Sequence, residues 1–344
     1  MIKELINRYK KIRTERYLRQ TYNKQYAFVG MGNHSLTNLY PVLYYLGVPL
    51  KYICVTSTRK AKLIEQKFPN VKAKVSLDEI LQDKAVEAVF VSASPKAHFS
   101  IASKVLQSGK SLFIEKPPCQ TSEELDTLIE LQQLHGSSVA MVGWQKRYAP
   151  AIQLLKNRLR KEHLISYDLH YLTGAYPEGN ALLELYTHPL DLVCFLFGKP
   201  DVLTVRHVAK DSYILMLQHP HIVGTLELST SYTWNGATET LKVNTKSGCY
   251  QMREMEELTF EPSNFTILGI PTEKIHAKNK IVEYLFQNNG FSPIMENNLV
   301  YTQGFYSEIE SFVSLVEKGK NEVSMELKSA RDTYDLLRVL QSEI

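Results

Sequence analysis

Residues 111–118 read Ser-Leu-Phe-Ile-Glu-Lys-Pro-Pro. Leu112, Phe113 and Ile114 form the short apolar run of a strand buried on both faces of a parallel sheet. Glu115, Lys116, Pro117 and Pro118 follow directly. Proline has no N–H to give the ladder, so the strand stops and the chain turns. Open α/β sheets bind ligands just outside the carboxyl ends of their strands. Lys116, held on such a rim, is therefore a candidate catalytic residue. The plain alternative is a salt bridge that caps a strand.

On both sides of this stretch strands alternate with helices. Residues 26–30 read as a buried strand running into Met31-Gly32-Asn33-His34-Ser35, with a helix through Tyr45. Gly30 permits a tight bend and Gly32 lets the backbone approach a pyrophosphate at the helix N-terminus. Ser35 stands where a third glycine would complete GxGxxG; it is small enough for close helix–strand packing. The second strand, 51–55, leads into Thr56-Ser57-Thr58-Arg59-Lys60. An NAD-selective site usually places Asp or Glu here for the ribose hydroxyls, and residues 51–60 contain neither. The hydroxyls here, Ser57 and Thr58 among them, and two cations, Arg59 and Lys60, suit a 2′-phosphate instead, with Arg59 able to grip it bidentately, which favours NADP over NAD. Solvated charges opening a surface helix are the alternative.

Strands over 73–75 and 87–91, with a helix from Leu77 between them, precede Ser92-Ala-Ser94-Pro95-Lys-Ala-His98. There Ser94 can cap a helix whose first residue is Pro95. A helix from about 122 to 135 and a strand over 139–142 follow the opening stretch, so residues 26–142 predict a doubly wound parallel sheet. Beyond 150 come a helix (151–161), a strand (164–172), a helix (181–197) and strands over 202–209, 213–217, 222–229 and 240–245. Helices near 304–317 and 328–342 end the chain. The expected organisation is a basic N-terminal helical arm (1–24), a dinucleotide-binding Rossmann domain (25–148) and an α+β domain with an open, mainly antiparallel sheet (149–344). The final helices could pack back on the first domain.

Glu184, His188 and Asp191 in the 181–197 helix follow i, i+4, i+7 spacing and share a face. Leucines cover much of the remainder. Polar groups aligned on an apolar helix need partners or a cavity, and Pro189 should kink the helix beside His188. A satisfied core histidine is the alternative.

The chain has 344 residues, 44% hydrophobic and 22% charged, with formal net charge +4. Residues 1–24 alone carry +6, leaving −2 for the rest. The basic balance thus belongs to the arm, an amphipathic helix with Ile2, Leu5, Ile6, Tyr9, Ile12 and Arg16 near one face. It is expected to dock on its own body or a partner subunit; aromatic and glycine signals for nucleic acid are too few. No apolar run reaches the roughly 18 residues of a membrane span. Four widely spaced cysteines, without a CxxC pair, speak against a zinc site or disulfide framework and suit a reducing cytoplasm. No metal site is expected.

In order along the chain, the GxG turn, SASPKAH, SGKSLFIEKPP, VGWQKRYAPA and GNALLELYTHPLDL resemble the Gfo/Idh/MocA oxidoreductase family. The likeness resumes weakly in YTQGFYSEIESFVSLVEKGK. It implies a nicotinamide cofactor cradled by Gly30, Met31, Gly32, Asn33, His34, Ser57, Thr58, Arg59, Ser92, Ser94, Pro95, His98, Glu115 and Lys116. Lys116 matches the lysine that contacts the reacting hydroxyl and the nicotinamide ribose, and His188 the acid/base histidine. Glu184 stands where members usually carry Asp and completes the catalytic set; Asp191 is expected to orient the helix. Arg147 and Tyr148 match a pair bordering the substrate pocket, so the substrate group is Lys116, Arg147, Tyr148, Glu184 and His188. The implied reaction is hydride transfer between nicotinamide and a hydroxyl-bearing carbon of a sugar, cyclitol or nucleotide-sugar-like compound. The implied assembly is a homo-oligomer, dimer or tetramer. Tyr171, Tyr186 and Trp234 are weighed as substrate platforms and read first as packing. The rival reading is a non-catalytic dinucleotide sensor of the same fold.

Overall fold

The computed structural model describes residues 2–18, 22–134, 139–264, 266–275, 281–289, 291, 298–319 and 327–343. The arm is a helix, α1 (Ile2–Leu18). Ile2, Leu5, Ile6, Tyr9 and Ile12 on it are exposed, so this stripe does not dock on the body of its own chain. Residues 19–20, the Arg16 side chain and His135, part of the expected helices, lie outside the described residues.

The first half alternates as its apolar runs require: β1 (Gln25–Val29), α2 (Tyr40–Leu46), β2 (Leu50–Cys54), α3 (Thr58–Lys67), β3 (Lys72–Lys74), α4 (Leu77–Gln82), β4 (Val86–Val91), α5 (Pro95–Gln107), β5 (Ser111–Glu115), α6 (Ser122–Leu134) and β6 (Ala140–Gly143). All six strands are parallel, in the order β3-β2-β1-β4-β5-β6. The order reverses between β1 and β4, the crevice where such sheets hold ligands. Every residue of β5 is buried, because the sheet is covered on both faces.

A turn at Gln145–Tyr148 leads to α7 (Pro150–Leu159), β7 (Leu164–Gly174), α8 (Thr187–Phe197), β8 (Asp201–Ala209), β9 (Ser212–His219), β10 (Ile222–Tyr232), β11 (Thr238–Thr245), β12 (Gly248–Arg253) and β13 (Glu257–Pro262). A small ladder of β14 (Thr266–Ile267) and β15 (Ile270–Pro271) precedes α9 (Thr272–Ile275) and β16 (Glu283–Gln287). The second sheet runs β16-β13-β12-β11-β7-β10-β9-β8. It is antiparallel except where β10 lies parallel to β7. The sequence reading missed β12, β13 and β16.

The chain ends in α10 (Leu299–Thr302), α11 (Phe305–Lys318) and α12 (Arg331–Ser342). α11 returns to the first sheet, where Phe312 meets Phe90 and Phe113 at ring-centroid distances of 5.1 and 5.6 Å. α12 ties to the segment after β5, its Tyr334 hydroxyl donating to Cys119 O at 2.7 Å.

Candidate active site

A cavity of about 680 Å³ opens at the carboxyl ends of β1, β2, β4 and β5. Gly30 forms its floor with φ +89°, and a Cβ there would fall 2.2 Å from Ser92 O; only glycine fits so close a backbone crossing. At Gly32 a Cβ would meet no protein atom within 4 Å, so this side of the turn is open to a phosphate-sized group. The helical run beginning there presents N–H groups lacking intrahelical partners, suited to an anion. Ser35 uses its hydroxyl where glycine was expected, bonding Ser92 Oγ at 3.0 Å and pinning the turn to β4. The turn fits a dinucleotide.

Gly30, Met31, Gly32, Asn33, His34, Ser92, Ser94, Pro95, His98, Glu115, Lys116 and Glu184 all line the cavity. Ser94 occupies the N-cap position of α5, but its hydroxyl makes no capping bond, contrary to the sequence reading. His98 is buried, with Nδ1 2.7 Å from Pro117 O and Nε2 3.1 Å from Ala93 O. It staples two strand ends, and burial holds its pKa below the usual value.

Ser57, Thr58 and Arg59 are absent from the lining. Ser57 is the N-cap of α3, accepting from Lys60 N at 3.3 Å. Thr56 and Lys60 face the cavity instead. Successive helical residues differ in direction by about 100°, so a shift of one residue exchanges Arg59 for Lys60.

Lys116 projects from the end of β5, and its Nζ donates to Glu184 O at 2.6 Å. That carbonyl lies in a π-helical turn, Leu182–Tyr186, which runs into α8. Pro189 offers no N–H to the carbonyls around this break, so they take donors from elsewhere. Thr187 Oγ1 bonds Leu183 O at 3.0 Å, and Lys116 serves Glu184 O. Enclosure of the Lys116 ammonium lowers its pKa to about 8; Glu115 and Glu184 oppose the shift and Lys146 adds to it. His188 is buried. Burial first, then the charges of Lys116, Lys146 and His34, holds its pKa well below 6.5. His188 is therefore a neutral imidazole beside an ammonium.

Three expected roles change. The Glu184 carboxylate does not turn to His188: it accepts from Tyr176 OH at 2.8 Å and Asn180 N at 3.1 Å. Arg147 is not a pocket residue: it is buried, with Nε 2.8 Å from Asp191 Oδ2 and a second bond from its guanidinium to Oδ1. Tyr148 packs with the apolar core of the first sheet. Sequence reasoning weighed Lys60 only beside Arg59 and passed over Tyr176 and Lys146; Lys146 lies within the quoted VGWQKRYAPA, one residue before the arginine chosen. Tyr186 is fully buried, and Trp234, half exposed, donates from Nε1 to Ala175 O at 2.9 Å. Among the described residues no cluster of His, Cys, Asp and Glu could hold a metal, and no helix is long and apolar enough to cross a membrane.

A crevice at the switch point of a parallel sheet, with a glycine turn beneath it and Tyr176, Glu184 and Leu185 of the second half closing one side, defines a dinucleotide-binding α/β protein. Residues 24–143 match the Gfo/Idh/MocA oxidoreductase family, NAD-binding Rossmann fold. The match lies within the first sheet and its helices. It is 28% identical over 188 residues to inositol 2-dehydrogenase of Salmonella typhimurium strain LT2, covering 52% of this chain and 55% of the relative. It is also 28% identical over 199 residues to an uncharacterized oxidoreductase of Schizosaccharomyces pombe, covering 52% and 54%. The chain spans about half the length of these curated relatives. A dehydrogenase from Chromobacterium violaceum shares the fold at TM-score 0.79 and 17% identity, over 93% of this chain and 95% of that one. Levoglucosan dehydrogenase in complex with NADH and levoglucosan does so at TM-score 0.79 and 16% identity, over 93% and 97%.

Proposed function

We propose that this chain is an NAD(P)-dependent oxidoreductase that moves a hydride between nicotinamide and a hydroxyl-bearing carbon of a sugar, cyclitol or nucleotide-sugar-like substrate. The observation that supports this reading is that Lys116, from the first sheet, lines the dinucleotide cavity, bonds the main chain of Glu184 one helical turn before His188, and bears electrostatically on that buried imidazole. The names of the relatives, among them inositol 2-dehydrogenase, agree with a polyol substrate.

When bound, the dinucleotide supplies the hydride acceptor or donor, as such cofactors do. Gly30, Met31, Gly32, Asn33 and His34 would hold its phosphates, and Ser92, Ser94, Pro95, His98 and Glu115 its nicotinamide half. Neutral His188 takes the hydroxyl proton of the substrate at Nδ1 or Nε2. The Lys116 ammonium stabilises charge developing on the substrate oxygen. Glu184 acts at one remove: its main chain anchors Lys116, while its carboxylate secures Tyr176 over the cavity.

At the adenosine end, Lys60 and Thr56 with no neighbouring carboxylate in the lining favour NADP over NAD. All four cysteines are free, which suits a cytoplasmic enzyme. We place a subunit contact on the open outer face of the second sheet, where Ile214 and Met216 are exposed; the mass in solution, a dimer or tetramer against 39.4 kDa for one chain, tests it.

The reading is tested by cofactor turnover over a panel of cyclitols and sugars. Lys116→Ala and His188→Ala should each lose about 10²–10⁴-fold in kcat, the scale of acid–base groups. Lys60→Ala should weaken NADP more than NAD, and Arg59→Ala should leave their ratio unchanged. Dinucleotide binding without turnover on any member of the panel would favour the sensor.

A further inference from the structure

We propose that α1 binds an anionic phospholipid surface, with its apolar stripe among the acyl chains and its flanking cations on the headgroups. Every residue from Ile2 to Ile12 is exposed, so no face of this run is packed into the body. Successive residues of an α-helix turn by about 100°. On that wheel Ile2, Leu5, Ile6, Tyr9 and Ile12 fall within about 120° of the circumference. Ile2, Leu5 and Tyr9 are 72%, 61% and 66% exposed, far more than a stripe covered by its own chain would be. Arg8 borders the stripe on one side, and Lys3 and Lys10 border it on the other. Lys11 and Glu4, the one acid in this run, lie on the far face.

A helix of this length with no packed face is marginal in water, so it gains most from a surface that takes its stripe. The rim of the stripe decides which surface that is. Lys3, Arg8, Lys10 and Lys11 stand against Glu4 alone. Stripe-to-stripe packing of two copies would bring the flanking cations together along the seam, where paired helices place opposite charges. Nucleic acid offers phosphates but no apolar phase for three isoleucines and a leucine. A leaflet containing acidic lipids supplies both, with acyl chains beneath and phosphates at the depth to which Lys and Arg side chains snorkel. Tyr9 suits that boundary, its ring inward and its hydroxyl toward water. Residues 25–344 sum to −2, so attraction to an anionic surface is confined to the arm.

The test sediments the full chain with vesicles of phosphatidylcholine alone or of an equimolar mixture with phosphatidylglycerol. The wild type should bind the anionic vesicles at least tenfold, roughly, more tightly than the neutral ones, and high salt should release it. Lys3→Gln with Lys10→Gln should weaken that binding about 25-fold, since each cation near such a surface contributes about fivefold. Leu5→Asn with Tyr9→Asn should remove it, because the cations hold too little without the stripe. These positions are exposed, so both variants should melt with the wild type and retain its level of dinucleotide turnover, which keeps this test separate from the redox reading. Equal binding to neutral and anionic vesicles, binding to neither, or undiminished binding in either variant overturns the proposal. A wild-type oligomer that binds no vesicles and is dissociated by Leu5→Asn with Tyr9→Asn overturns it too, and makes the stripe a seam between copies.

Discussion

In the proposed reaction the ammonium of Lys116 must be charged to stabilise an alkoxide, yet its enclosure brings its pKa down to about 8. His188 is pushed the same way and is neutral well below pH 6.5. The two shifts bracket a working window. Oxidation of an alcohol needs His188 unprotonated and Lys116 protonated, so kcat/KM should be flat through neutrality and fall as pH rises through about 8. The acid limb should lie well below the ordinary histidine range, because burial and the neighbouring cations let the imidazole gain its proton only there. Lys116→Arg supplies a cation that does not titrate in this range; its profile should lose the alkaline limb even where its absolute rate is low. An unmoved limb would assign that titration to another group. Lys116, Gly30 and Gly32 were legible in the sequence because each answers a backbone constraint that eight or ten residues express. Arg59 and Arg147 were misplaced for a different reason. Each has a basic neighbour, and facing the cavity depends on where a helical turn begins, to within one residue.

Among the elements, the glycine turn and the two π-helical turns shape the cavity. Ser35–Leu39 precedes Pro41, and Leu182–Tyr186 precedes Pro189. In both places proline withholds an N–H that a continuous α-helix would use, and a locally wider turn is the result. Pro189 announced a kink; its consequence, a carbonyl served by a lysine from the other sheet, required the tertiary fold. The β12–β13 hairpin was illegible for a local reason. Its turn places Glu254 at φ 53° and Met255 at φ 61°, where Gly, Asn or Asp would signal a tight hairpin. The glycine turn permits a sharp comparison. Gly30→Ala forces a Cβ onto Ser92 O at positive φ and should lower stability by about 3 kcal/mol or more, from strain and overpacking together. Gly32→Ala meets open space; it should melt within a few degrees of wild type while losing dinucleotide affinity at least tenfold, roughly, because the methyl occupies the phosphate approach. Thermal melts with and without NADP separate the two, and equal destabilisation by both would refute the assignment of Gly32 to the ligand.

Across the whole molecule, the two sheets are joined by more than the chain between them. Lys116 reaches Glu184, Lys146 reaches Glu239 and Arg147 reaches Asp191. Meanwhile α11 leaves the second half to complete the core of the first. Such interlacing was visible in the sequence only as the weak likeness over residues 301–320 and the expectation that the final helices could pack back on the first domain, because pairing across domains leaves no local periodicity. It has a thermodynamic consequence: the candidate-site groups are carried on a single cooperative unit, since the core of the first sheet is completed by α11 from the other half. The buried Arg147–Asp191 pair tests this. Burial raises the Asp191 pKa and the guanidinium opposes that rise, so removing Arg147 strands a carboxylate in the interior. Arg147→Met should cost about 3–5 kcal/mol, whereas Arg147→Met combined with Asp191→Leu should recover most of the loss, because an apolar pair of similar volume needs no compensating charge. Urea denaturation followed by Trp144 and Trp234 fluorescence and by circular dichroism should show coincident transitions in wild type and both variants. Two separated transitions in the single variant would mean that the halves fold independently, and that the convergence of Lys116 with His188 depends on docking after folding and not on one shared core.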